Sequence, residues 1–103
     1  MRVAISGRQQ WEWCKQNWDP QVMAFAERLA DLLEPELDKV DLAKGESIHD
    51  VLRKSLQAML QKAGVGQLNK GQRHRAYEIL SQCWATSYGA ALHTTLFEAG
   101  YLP

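Results

Sequence analysis

The sequence predicts an all-α fold: one small bundle of four helices, five if the segment after Pro35 forms its own, with a long C-terminal helix. Two observations carry this. Apolar residues recur three, four and seven positions apart over most of the chain, the spacing that gathers side chains on one face of a helix. Asp19-Pro20, Ser47, Gly64 and Gly100 stand at the edges of those segments, where helix ends need a capping side chain or a glycine. The 103 residues suffice for a single domain over 1–103 with one core. Val3-Ala4-Ile5 reads as a short extended arm within residues 1–6.

The first helix starts after Ser6 or Gly7 and ends near Trp18. It contains "RQQWEWCKQNW", which holds three of the four tryptophans. Trp11, Cys14 and Trp18 fall on one face and are expected in the core. Trp13 falls on the other side among Gln9, Gln16 and Asn17, an exposed aromatic suited to anchoring a partner. The absence of β-branched residues favours helix over strand here.

The second helix runs from Pro20 to about Glu34, capped by Asp19 and with proline at its first position. Val22, Phe25, Ala26, Leu29, Leu32 and Leu33 form its buried face, with Glu27, Arg28, Asp31 and Glu34 opposite. Pro35 is expected to interrupt it, because proline lacks the donor and crowds the preceding turn. A short helical piece then ends at Gly45. The third helix begins at Ser47, with Asp50 three residues on as a variant capping box, and stops at Gly64. Ile48, Val51, Leu52, Ser55, Leu56, Met59 and Ala63 make its stripe.

The last helix is expected over Gly71 to Ala99, about 43 Å if straight. It is longer than so small a domain is wide, so it kinks near Gly89 or extends into a partner. Ser81, Ala85 and Gly89 put small residues on one side, while Ile79, Leu80, Cys83, Trp84 and Phe97 make the other side apolar. A helix apolar on both sides must be covered on both. It is therefore either the central helix of a monomer or the seam of a homodimer. The 19 uncharged residues from Ile79 to Phe97 include too many hydroxyls and amides for a membrane span.

Formal charge is zero, from 12 basic and 12 acidic residues, which speaks against a general footprint for nucleic acid or anionic membrane. The average hides a dipolar string. Glu27 to Asp50 carries eight acids against three bases, and Val51 to Arg75 carries six bases and no acid. Arg53, Lys54, Lys70, Arg73 and Arg75 are the candidate anion or nucleic-acid contacts, or mates for the acidic block. Asp31, Glu34, Glu36, Asp38 and Asp41 read as a solvated acidic face.

Cys14 and Cys83 read as free, buried thiols in a cytoplasmic protein. His49, His74 and His93 are not at metal-ligand spacing with the cysteines. His74 is expected at the surface and His93 inside the core or an interface. No catalytic constellation, metal site or cofactor motif is legible. "GQLNKG" lacks the lysine, the hydroxyl residue and the preceding strand of a phosphate loop.

The function expected is a small non-enzymatic helical adaptor, regulator or accessory factor. It would act by protein–protein contact through Trp13 and the Ser81–Ala85–Gly89 side, as a monomer or a homodimer. The alternatives are a nucleic-acid-associated regulator using the basic 53–75 segment, and an enzyme whose site would be a pocket containing His93 or Cys83.

Overall fold

The computed structural model describes residues 7–84 and 86–103, with backbone alone at residues 42 and 86. The expected arm over 1–6 and Ala85 lie outside the described residues. Five α-helices are described: α1 Arg8–Asn17, α2 Pro20–Asp38, α3 Ile48–Ala63, α4 Lys70–Cys83 and α5 Thr86–Glu98. α2 lies at the centre against α3 and α4, α5 packs on α3 and α4, and α1 rests on α4 and α2.

α1 buries Trp11 and Cys14. Its start is pinned to the end of α4, where the Gly7 amide donates to the Cys83 carbonyl at 3.1 Å. Trp18 is in extended backbone and half-buried rather than fully inside. The Arg75 guanidinium sits 5.2 Å from its ring centroid, a cation–π contact.

α2 begins as expected: Asp19 accepts from the Gln21 amide at 2.8 Å and Pro20 opens the helix. Pro35 does not end it, and the separate fifth helix expected there gives way to one more turn of α2 and a short 3-10 turn at Leu42–Lys44. Two features permit this. Pro35 and Asp31 are both exposed, so the carbonyl that loses its donor can be hydrated instead. Beyond it Leu37 is buried, which holds the last turn down.

α3 is capped by Ser47 and stopped by Gly64 at φ 90°. Ser47 Oγ accepts from the Asp50 amide at 3.3 Å, while the Asp50 carboxylate takes Arg53 at 3.0 Å. The cap therefore has the serine half of the expected box. Leu52, Leu56, Leu60 and Ala63 form its buried stripe. Arg28 of α2 donates to the Ala63 carbonyl at 2.9 Å, placing a cation at a helix C-terminus. α4 opens with a full capping box, Asn69 and Gln72 bonding reciprocally at 2.9 Å. Gln72 also donates to Asp19 at 2.9 Å, which joins the starts of α4 and α2.

The single long C-terminal helix is corrected to two. The chain leaves helix at Trp84 and re-enters it at Thr86, ahead of the kink expected at Gly89. Gly89 serves instead as the close-packing point of the corner. A Cβ there would overlap the Ser81 carbonyl oxygen, so the two helices approach along backbone rather than side chains. Folding back covers both apolar sides within one chain: Ile79, Leu80, Cys83, Trp84, Leu92 and Leu96 are all buried. The Trp84 indole donates to Glu34 Oε1 at 2.9 Å across to α2. Glu34 is therefore buried, not on the solvated face the sequence assigned to it.

Gly89→Ala is the direct check on the corner. Forcing a methyl onto the Ser81 carbonyl should cost about 1–3 kcal/mol. The thermal midpoint should fall by roughly 4–8 °C per kcal/mol for a domain of this size. Calorimetry that shows no loss would contradict the packing described.

Candidate interaction surface

Trp13 is 58 % exposed on the outward side of α1. Gln9, Gln10, Gln16 and Asn17 lie within about 60° of it around the helix at 100° per residue, and all four are exposed. Among the described residues of α1 the collar is thus made of amides, while Arg8, Glu12 and Lys15 project elsewhere. Asn17 folds back to the Trp13 carbonyl at 2.8 Å. Gln10 reaches across to α4, donating to Gln82 Oε1 at 3.0 Å.

Gln82 lies on the rim of an open trough of about 520 Å³, lined also by Ser81, Trp84, Gly89, Ala90, His93 and Thr94. Ser81 and Gly89, expected to share one side of a helix, are brought together here by the corner. Ser81 Oγ is buried and has no hydrogen-bond partner among the described residues. His93 is exposed on the trough's α5 side, not interior. Phe97, expected to be covered with Ile79 and Trp84, is instead 58 % exposed. The turn at Trp84–Thr86 changes the helical phase, so positions read from one continuous wheel no longer share a face. Within α5 alone, Ser87, Ala90, His93, Thr94 and Phe97 occupy one sector of about 120°, and all are exposed.

The basic candidates do not converge. Arg53 and Lys54 stand on the first half of α3, where Arg53 contacts Asp50 at 3.0 Å and Glu98 at 3.8 Å. His49 Nε2 lies 2.9 Å from the same Glu98 carboxylate. Lys70, Arg73 and Arg75 stand at the start of α4, beyond the far end of α3. Ten positions separate Arg53 from Ala63, about 15 Å along the helix. Arg73 donates to the Leu68 carbonyl at 2.9 Å, and Arg75 covers Trp18. The expected pairing of acidic and basic blocks is local, as in Asp50–Arg53, rather than face to face.

A second cleft of about 400 Å³ runs between α3, α5 and the C-terminal segment, lined by Arg53, Leu56, Gln57, Thr95, Glu98, Ala99 and Tyr101. Among the described residues no three His, Cys, Asp or Glu side chains are grouped to hold a metal. Cys14 and Cys83 are both buried, and no disulfide joins them. Burial, with Cys14 close by, pushes the Cys83 thiol up to about 11, so it is protonated near neutrality and a poor nucleophile. No described helix is long and apolar enough to cross a membrane.

Two acids of the sequence-read solvated face take structural roles. Glu34 holds Trp84, and Asp38 accepts from the Tyr88 hydroxyl at 2.6 Å. Glu34 holds the residue that follows α4 and Asp38 holds a residue of α5, so both tie the corner to α2. The partner of Glu34 lies 50 residues away, which is why helical periodicity did not reveal it. At the start of α2, Asp19 has its carboxyl lowered by the Gln72 bond first and the Gln21 amide next.

A family model described as "Type I Thoeris inhibitor Tad4" matches residues 1–99, nearly the whole chain. The chain belongs to that family. No curated protein and no solved structure matches it.

The tyrosines give this structure a readable alkaline limb. The Asp38 bond holds Tyr88 at about 12, and burial holds Tyr77 at about 12, against about 10 unfolded. A folded value above the unfolded one leaves stability intact below pH 10 and removes it as pH rises toward 12. The urea midpoint should therefore fall between pH 10 and 12. A Tyr77→Phe, Tyr88→Phe double variant should fall distinctly less over that window; an equal fall would contradict the assignment.

Proposed function

We propose that this member of the Type I Thoeris inhibitor family inhibits by binding a protein of the Thoeris system in the cytoplasm, as a small helical regulator rather than as an enzyme. The observation that carries this reading is Trp13. A tryptophan 58 % exposed on a helix leaves a large apolar surface in water. Its ring of neutral amides can hydrogen-bond to a partner without the desolvation cost of charge. Aromatic anchors ringed by polar groups are the usual centres of binding energy at protein interfaces.

Ser81 and Gly89, the other partner contacts expected from the sequence, line the trough that the Gln10–Gln82 bond links to α1, with Gly89 itself buried against the Ser81 carbonyl. Ala85, the third of that set, lies between them in the chain. The alternative of a nucleic-acid contact through Arg53, Lys54, Lys70, Arg73 and Arg75 draws no support from a convergent patch.

The test is binding of the purified chain to each purified type I Thoeris protein by calorimetry. Trp13→Ala should weaken the complex tenfold or more, on the order of 1.4 kcal/mol or above. The thermal midpoint should stay unchanged, because the side chain is not part of the core. A wild-type chain that binds none of these proteins would contradict the proposal, as would a Trp13→Ala chain that binds as wild type.

A further inference from the structure

The two exposed large hydrophobic residues described, Trp13 and Phe97, lie on different helices and far apart in sequence. The surface between them can be followed residue by residue. Trp13 shares its sector of α1 with Gln10, and Gln10 is bonded to Gln82. Gln82 and the α5 residues Ala90, His93 and Thr94 line the same trough. Phe97 stands one turn beyond His93 and Thr94 on the same side of α5. None of these residues carries a formal charge, in a chain whose composition is 23 % charged.

We infer that this strip of α1, the end of α4 and the outward side of α5 is one docking face, with Trp13 and Phe97 as its two anchors. Its occupant is an uncharged, apolar-centred surface of the Thoeris protein. The inference rests on the functional proposal above and adds a second anchor and the character of the partner.

Charge selects that occupant. Interface cores are depleted in charged side chains and enriched in aromatics, as this strip is. A nucleic acid or an anionic membrane would require cations, and the strip presents none. A second copy meeting along a small-residue helix seam would need the Ser81–Gly89 close approach. That approach is already made within the chain between α4 and α5.

Affinity for the Thoeris protein should be measured for wild type, Phe97→Asp, Thr94→Asp and Lys54→Glu, at 50 and 500 mM salt. Circular dichroism should confirm an unchanged melt for each, since all three side chains are exposed. Phe97→Asp and Thr94→Asp should each weaken binding tenfold or more. Lys54→Glu, on α3, should stay within threefold of wild type, and salt should change wild-type affinity by less than threefold. Wild-type binding of Phe97→Asp and Thr94→Asp beside a weakened Trp13→Ala would overturn this inference and leave the functional proposal standing. A tenfold or greater fall with salt would also overturn it. So would light scattering that shows Phe97→Asp splitting a dimer while Thoeris binding is unaffected. A wild-type chain that binds no Thoeris protein would remove both readings.

Discussion

The corner between α4 and α5 is the constraint on which the rest of the structure depends. Left straight, the uncharged C-terminal stretch would be a rod apolar on two sides, both needing cover. Gly89 lets the chain turn back onto Ser81 with no side chain between the backbones. The turn then places Trp84 against α2, where Glu34 receives its indole N–H, and Tyr88 against Asp38. A buried carboxylate is expensive unless hydrogen-bonded. The corner therefore works in both directions: α2 supplies the acceptors that lock it, and it supplies the donors that let α2 bury an acid.

The same turn decides what faces water. It sends Leu92 and Leu96 into the core and leaves Ala90, His93, Thr94 and Phe97 outside. α1, fixed to the end of α4 by Gly7–Cys83 and Gln10–Gln82, brings Trp13 to the same neighbourhood. Charged groups are managed elsewhere, in Arg28–Ala63, Arg53–Asp50 and the His49–Glu98 contact. A neutral strip between charged regions follows from the packing. It is the surface proposed to meet the Thoeris protein.

Much of this was legible in the sequence because it is local. α1 to α3 appear in order, and α2 and α3 carry the expected caps, since Asp19, Ser47 and Gly64 act on groups a few residues away. The exposure of Trp13 follows from its angle relative to Trp11 and Cys14 within one helix. The errors occur where tertiary contacts overrule local rules. Pro35 ends a helix by local chemistry, yet α2 continues because Leu37 has a buried seat and the orphaned carbonyl faces water. A single helical wheel through Trp84 puts Phe97 on a covered side, but the helix stops there. Local periodicity puts Glu34 on a solvated face because its partner is 50 residues away. The asparagine box at Asn69 and Gln72 was legible in principle, as a capping side chain followed three residues later by glutamine.

The central claim is that the neutral strip of α1 and α5 is the face that meets the Thoeris protein. Hydrogen–deuterium exchange of the chain, free and in complex, tests it without any substitution. The account predicts slowed exchange over residues 8–18 and 86–98 on binding, with the first half of α3 unchanged. Protection confined to α3 around Arg53 and Lys54, or to the start of α4 around Lys70 to Arg75, would contradict it.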